Sequence, residues 1–379
     1  MADLAPPLRS DDGDTAERRQ HGESMFSWFN RSSRPACVQG RRAINAWLQA
    51  APTKFAQRLR HHIVSKDDRR LLDALFELYL YTLFKRLGFE VTPEPQTSGR
   101  SRPDFLLSRD NTPVCYLEAT VDHGPQDVRD REDRTRRVLE QVAPHVTIVG
   151  ESLWVHDVRQ GRSWPSGRRF AGRINDWLSG SLVQQVDESG HAREWVEDQA
   201  SGWAFLLSRR PLKDPQRRLA NPFGIVSGPT FWLRQMSLRN EVRRKLDQHR
   251  DPSLPIVVAV SFSNPITQPE EDDVVTALQG RLFVNFPIDG HGAPTTRRLE
   301  DGLWTSPGRS AATRCPCVLT CMHCLPWALP EVNPVLWAQA SCACAALQSH
   351  WPLGLRYWAD DGTLIRRDQA SAATTLGLI

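Results

Sequence analysis

Asp104 and Glu118 are the residues of this 379-residue chain whose types and spacing best suit chemistry. They stand in RPDFLLSRDNTPVCYLEATV, residues 102 to 121, where an Asp/Asn/Pro turn, SRDNTP, separates two apolar runs and predicts a tight hairpin. Side chains alternate along a strand, so Val114, Tyr116, Glu118, Thr120 and Asp122 share one face of the returning strand. An acid at the start of one strand and another on its antiparallel neighbour can aim two carboxylates at one point. Glu77, from an upstream helix, can add a third. Oxygen donors gathered in this way suit Mg²⁺ or Mn²⁺, which neutralise phosphate charge, activate water and stabilise a leaving oxygen. The chemistry indicated is phosphodiester hydrolysis. Each acid also has a plain structural use: Glu77 pairing with an arginine in the core, Asp104 capping the Arg/Ser-rich turn, Glu118 lying on a solvated strand face.

The elements that must carry these groups are legible from periodicity. DDRRLLDALFELYLYTLFKRLG, from residue 67, is apolar nearly all round and predicts a buried helix that Gly88 stops, with Glu77 inside it. FEVTP predicts a short strand, and the hairpin follows. Residues 127 to 142 predict a charged helix, and 146 to 155 a strand. A Trp/Arg/Gly-rich stretch, 159 to 232, resists assignment. Then LRNEVRRKLDQHRDPSLPIVVAVSF predicts a basic helix feeding an apolar strand at 255 to 262, the kind of unit a parallel sheet uses. In the last third, RLFVNFP and CPCVLTC are strand-like. The fold class expected is α/β.

The pattern PDF followed by LEAT resembles the PD-(D/E)xK nuclease superfamily, the fold of many restriction endonucleases. The likeness includes the preceding helix FELYLYTLFKRLGFEV and, later, GW, RRKL and LPIVVAVSF. It implies a core of helix, three-stranded antiparallel meander, crossover helix and further strand, with Asp104, Glu118 and Glu77 as metal ligands. The family's lysine, two residues beyond the strand acid, falls on Thr120, a departure from the pattern. In some branches that lysine migrates to the core helix, which makes Lys245 the candidate to position the nucleophilic water. On this reading residues 36 to 265 form the core, with an insertion at about 125 to 230, and 266 to 379 are a cysteine- and tryptophan-rich α/β extension. In a rival reading, helix 127 to 142 and strand 146 to 155 complete the core, and Gln141 positions water or substrate. The activity implied is a Mg²⁺- or Mn²⁺-dependent endonuclease. DNA is the expected substrate by analogy and RNA an allowed one.

Composition sets the remaining bounds. A net charge of +4 permits a nucleic-acid partner without demanding one. Only five of 48 basic residues are lysines, which leaves few amines for catalysis. Arg239, Arg243 and Arg244, beside Lys245, are the candidate contacts to nucleic acid. Residues 1 to about 35 are polar and aperiodic and read as a disordered tail. No apolar run approaches the roughly 18 residues of a membrane span, and the N-terminal stretch lacks a signal-peptide core, so a cytoplasmic protein is expected. Six of eight cysteines lie between 315 and 344, with His323 among them; Cys321 and Cys324 have a zinc-knuckle spacing, while the single-residue gaps of the other pairs do not. Two alternatives follow: an inactive nuclease fold that binds nucleic acid or a protein, and a zinc-stabilised adaptor. No protein partner is specified, and a homodimer is compatible with the sequence.

Overall fold

The computed structural model describes residues 7–17, 19, 23–97, 102–124, 126–180, 193–212, 214–216, 218–219, 222–225, 234–249, 253–262, 269–285, 295–305, 314–322, 324–339, 345–359 and 363–379. The chain divides into two compact units: Met1–Glu17, Ser24–His123 and Trp232–Ile379 form one, and Arg18–Glu23 with Gly124–Phe231 the other. Both are mixed α/β, with ten α-helices among the described residues. None of these helices is long and apolar enough to cross a membrane.

The first unit opens with helices α1 (Met25–Arg31), α2 (Pro35–Ala50), α3 (Thr53–Ile63) and α4 (Asp68–Arg86). Asp67 caps α4 by accepting the Arg69 N–H, and Gly88 beyond its end adopts φ +83°, a conformation that glycine takes without steric cost. From Leu71 to Phe84 every residue of α4 is buried except Asp73 and Glu77. Such a helix is held by its neighbours, each fully buried leucine or phenylalanine contributing about 2 kcal/mol.

The expected disordered tail is structured where it is described. Leu8 is buried, Thr15 bridges to Ser32, and α1 occupies part of the stretch. The reason is Arg41, fully buried, whose guanidinium donates to the carbonyls of Arg9, Asp11, Phe29 and Ser32. Aperiodic sequence conceals this, because the order comes from backbone groups bound by distant side chains, Asn45 on Leu8 and Arg34 on Ala16 as well as Arg41.

Strands β1 (Glu90–Pro93), β2 (Phe105–Arg109) and β3 (Thr112–Asp122) form an antiparallel meander. Asp110 and Asn111 turn the hairpin with φ of 49° and 60°, a conformation their short polar side chains tolerate.

In the second unit, α5 (Gln126–Val142), β4 (Glu151–Arg159), α6 (Gly167–Ser179), β5 (Glu194–Asp198), β6 (Trp203–Pro211) and β7 (Phe223–Ile225) build a two-layer fold. The sheet order is β5-β6-β4-β7, and its core joins Val138 and Leu139 of α5 and Phe170 and Ile174 of α6 to Val155, Phe205 and Leu207 of the strands. Strand β4 starts at Glu151 rather than 146 because a 3₁₀ turn at Ala143–His145 and Gly150, at φ +73°, precede it.

The first unit resumes with α7 (Arg234–Asp247), β8 (Ile256–Phe262), α8 (Glu271–Gln279), β9 (Leu282–Asn285), β10 (Thr295–Arg298), β11 (Cys317–Met322), β12 (Asn333–Ala338), α9 (Ala345–Ser349), β13 (Gly354–Trp358), β14 (Leu364–Arg367) and α10 (Ala372–Leu376). Its main sheet runs β1-β2-β3-β8-β11-β12-β13-β14, and β9 pairs with β10 apart from it. Strand β8 lies parallel between β3 and β11 with all seven residues buried, as its continuous apolar run requires. Of the two continuations weighed from sequence, strand 255 to 262 is therefore the one beside β3, whereas β4 and Gln141 belong to the other unit. Helices α2 to α4 cover one sheet face and α7 and α8 the other. The C-terminal third is not an appended extension. Strands β11 to β14 continue the same sheet, and Leu319, Leu336 and Leu376 share a core with α4, because β8 is apolar on both faces and needs a neighbour on each side.

Candidate active site

Alternation along β3 sends Leu117, Ala119 and Val121 into the core beneath α4 and leaves Glu118, Thr120 and Asp122 facing α7. Two residues of strand advance about 6.6 Å and four residues of helix about 6.0 Å, so the two elements match rung for rung. Lys245 Nζ donates to Glu118 Oε2 at 2.8 Å, Thr120 Oγ1 to Glu241 Oε2 at 2.9 Å, and Ser237 Oγ to Asp122 Oδ2 at 2.6 Å. The helix runs antiparallel to the strand it reads.

Asp104 enters from β2. The β2–β3 register pairs Phe105 with Leu117 and Leu106 with Tyr116, so one step further places Asp104 opposite Glu118. The Asp104 N–H donates to Glu118 Oε1 at 3.3 Å, and the Ala119 N–H donates to Asp104 Oδ2 at 2.8 Å. Lys245 Nζ reaches Asp104 Oδ2 at 3.1 Å, so one ammonium bridges both carboxylates. His249 Nε2 lies 2.6 Å from Glu118 Oε1 and completes that acid's set of partners. The Glu118, His249 and Lys245 side chains are 2%, 6% and 13% exposed, whereas Asp104 keeps 25%. Every partner of the Asp104 carboxylate among the described residues sits on Oδ2, leaving Oδ1 open.

Charge follows from this packing. Burial pushes Asp104 up to about 6, against the pull of Lys245 and with added push from Glu118 and Glu77. Burial also opposes ionisation of Glu118, but the hydrogen bond from His249 and the Lys245 ammonium outweigh it and hold that carboxyl below the usual range. Lys245 is raised: burial disfavours its charge, and Asp104 and Glu118 more than compensate.

Glu77 does not join the pair. Arg58 takes its carboxylate, with Nη2 2.5 Å from Oε2 and Nη1 3.4 Å from Oε1, and Arg58 Nε also reaches Glu94 Oε1 at 3.0 Å. An acid on a buried helix must find a cation, and α3 supplies Arg58. This corrects the expectation of a three-acid cluster, although Glu77 remains near enough for its charge to raise Asp104.

The three arginines divide. Arg239 donates to the Asp301 carbonyl. Arg243 is half-buried. Arg244 holds Thr120 Oγ1 at 2.9 Å and Glu241 at 2.6 Å while its side chain stays 51% exposed, so it alone lies beside the acids with a free approach from solvent.

Sequence reading missed His249, Arg58 and Glu241. The spacing 241 and 245 was the available signal for Glu241, since one helical face recurs every four residues, whereas His249 follows the end of the helix.

The described cysteines take core positions. Cys317 and Cys321 lie buried on β11, Cys324 is buried beyond it, and Cys315 Sγ donates to the Cys317 carbonyl. Burial pushes the Cys321 thiol up and Cys324 to about 12. Cys342, Cys344 and His323 lie outside the described residues.

A divalent ion has a narrower fit. Mg²⁺ commonly takes one or two protein carboxylates and completes its shell with water and phosphate oxygens. Asp104 and Glu118, facing each other with Asp104 Oδ1 open, meet that requirement. Among the described residues no group of three His, Cys, Asp or Glu side chains could cage a metal, so its other positions would fall to water and substrate. Comparison of the chain with protein-family models, with curated proteins and with solved structures finds no match.

Proposed function

We propose that this chain is a metal-dependent phosphodiester hydrolase on a restriction-endonuclease-like core, acting on DNA. The observation that carries the reading is the single Lys245 ammonium 2.8 and 3.1 Å from two carboxylates on adjacent strands. The order α4, β1–β2–β3, α7, β8, with β8 parallel to β3, supports it. So does the use made of Thr120. Glu241 and Arg244 occupy the space above it, and the amine arrives one helical turn away instead.

Each group then has a role. Asp104 and Glu118 would hold Mg²⁺, which would offset phosphate charge and lower the pKa of a bound water. Asp104, at about 6, is ionised at neutral pH and ready to do so. Lys245 stays protonated, so it acts by donating hydrogen bonds that orient water and stabilise developing charge rather than as a base. His249 keeps Glu118 oriented by occupying Oε1, while Oε2 accepts from Lys245. Arg244 is the exposed cation suited to a neighbouring phosphate. Water adds across the P–O bond, giving a phosphomonoester and an alcohol.

Supercoiled plasmid, single-stranded DNA and RNA incubated with Mg²⁺ or Mn²⁺ test the reading. The wild type is expected to cleave DNA, with loss of about a hundredfold or more in Asp104→Ala and in Lys245→Met. Equal cleavage by all three proteins, or none by the wild type on any substrate, overturns it. Retained DNA binding without cleavage would mark a non-catalytic binding fold.

A further inference from the structure

Strands that end a sheet expose unpaired backbone groups, and proteins guard them with charge, proline or brevity. The described residues contain six such edges, and five are guarded. β1 carries Glu90 and Pro93, β14 carries Arg366 and Arg367, β5 carries Glu194, Glu197 and Asp198, and β10 carries Arg297 and Arg298. β7 has no charge but spans three residues, with Phe223 buried. β9, Leu-Phe-Val-Asn, has none of these protections.

The same strand holds three consecutive exposed large apolar side chains: Leu282 at 58%, Phe283 at 45% and Val284 at 37% exposure. Among the described residues only β10 pairs with it, and a lone two-stranded ribbon is marginal in water. Yet its base is well anchored. Gly280 adopts φ +87° where a Cβ would strike the Leu299 carbonyl, Arg281 pairs with Asp301, and Arg239 of α7 holds the Asp301 carbonyl. A firmly based ribbon with one bare apolar edge is built to receive another strand.

We infer that β9 pairs antiparallel with β9 of a second copy of this chain across a two-fold axis, giving a four-stranded sheet ordered β10-β9-β9-β10. The two edges of the ribbon choose this occupant. Self-pairing of β10 would set Arg297 and Arg298 against their own copies, whereas self-pairing of β9 brings no like charges together. With Phe283 on the axis, Phe283 meets Phe283 and Leu282 meets Val284, so every apolar side chain gains an apolar neighbour. The arginines end on the outer, solvated edges. A phosphate backbone fits less well, because Arg281 already pairs with Asp301, Arg298 donates to the Gly280 carbonyl, and Arg297 lies over the Phe283 ring. A two-fold contact of this kind is self-limiting, since both bare edges are used up.

Sedimentation of the full chain tests the pairing. The wild type is expected at twice the chain mass and Phe283→Lys at the chain mass, with unchanged circular dichroism and a melting temperature no longer dependent on protein concentration. In an oxidising buffer Phe283→Cys should give a reductant-sensitive dimer on denaturing gels, because directly opposed strand residues lie about 4.5–5.5 Å apart, within disulfide reach. Arg297→Cys, on the guarded edge, should cross-link no more than the wild type. A monomeric wild type, a dimer that persists in Phe283→Lys, or a dimer that Phe283→Cys fails to cross-link each overturns the proposal. So does a monomer in which Phe283→Lys abolishes DNA binding, which would assign the ribbon to nucleic acid.

Discussion

Burial brings titration of the Asp104 carboxyl close to neutrality, and Lys245 limits how close. Its pKa of about 6, against an ordinary 3.8, means that its contribution to stability is full below 3.8 and is lost as pH rises through about 6. Glu118 works the opposite way: held low, it contributes above the ordinary glutamate value and loses that contribution on acidification. Carbon-detected titration of the metal-free protein should give an Asp104 midpoint near 6, moving lower when Mg²⁺ is added. Lys245→Met should move the same midpoint upward, because it removes the charge that pulls it down. That variant leaves two acids facing each other without their shared cation and should cost about 3 kcal/mol in urea unfolding. An unchanged midpoint would mean that the ammonium does not sit beside Asp104.

Matching of strand and helix governs the next scale. Because β3 and α7 repeat at nearly the same interval, Glu118, Thr120 and Asp122 each meet α7, and Thr120 is bound to Glu241 and Arg244. A lysine at 120 would therefore not restore the commoner arrangement. It would meet Arg244 and displace the Thr120 hydroxyl from two hydrogen bonds. Thr120→Lys is expected to lower stability by about 1–3 kcal/mol and to leave metal-dependent cleavage no higher than in the wild type. Thermal melts and plasmid assays on one preparation check both parts. A gain in cleavage would show that the site prefers its amine on the strand.

At the scale of the whole molecule, the two units have separate cores, and each should answer separately to truncation. Residues 124–231 carry a core of their own, built from α5, α6 and the four strands, and as an isolated fragment should unfold cooperatively by circular dichroism. A chain ended after residue 265 should not. It would lose β11 to β14 and leave β8, apolar on both faces, as a bare edge, with α4 stripped of its packing against Leu319, Leu336 and Leu376. Soluble, cooperatively folding protein from that truncation would show that the C-terminal third is an accessory after all.

Local elements were readable because local forces make them. Helical spacing and a glycine stop define α4, an Asp-Asn turn defines the β2–β3 hairpin, and an apolar run after a basic helix defines α7 and β8. The pairing of Asp104 with Glu118 was legible too, since a short hairpin sets its own register. Lys245 could be named only through the resemblance, which allows the lysine to sit on the core helix, and nothing local brings it across 141 and 127 residues to the two acids. The sequence alone determined the acids, the strand face they share and the helix that could answer them. The tertiary structure decided that Arg58 would claim Glu77, that His249 would fasten Glu118, that Arg41 would order the N-terminal stretch, and that β11 to β14 would join the main sheet. Those outcomes depend on which elements pack face to face, and periodicity along a chain records which side is apolar but not what lies against it.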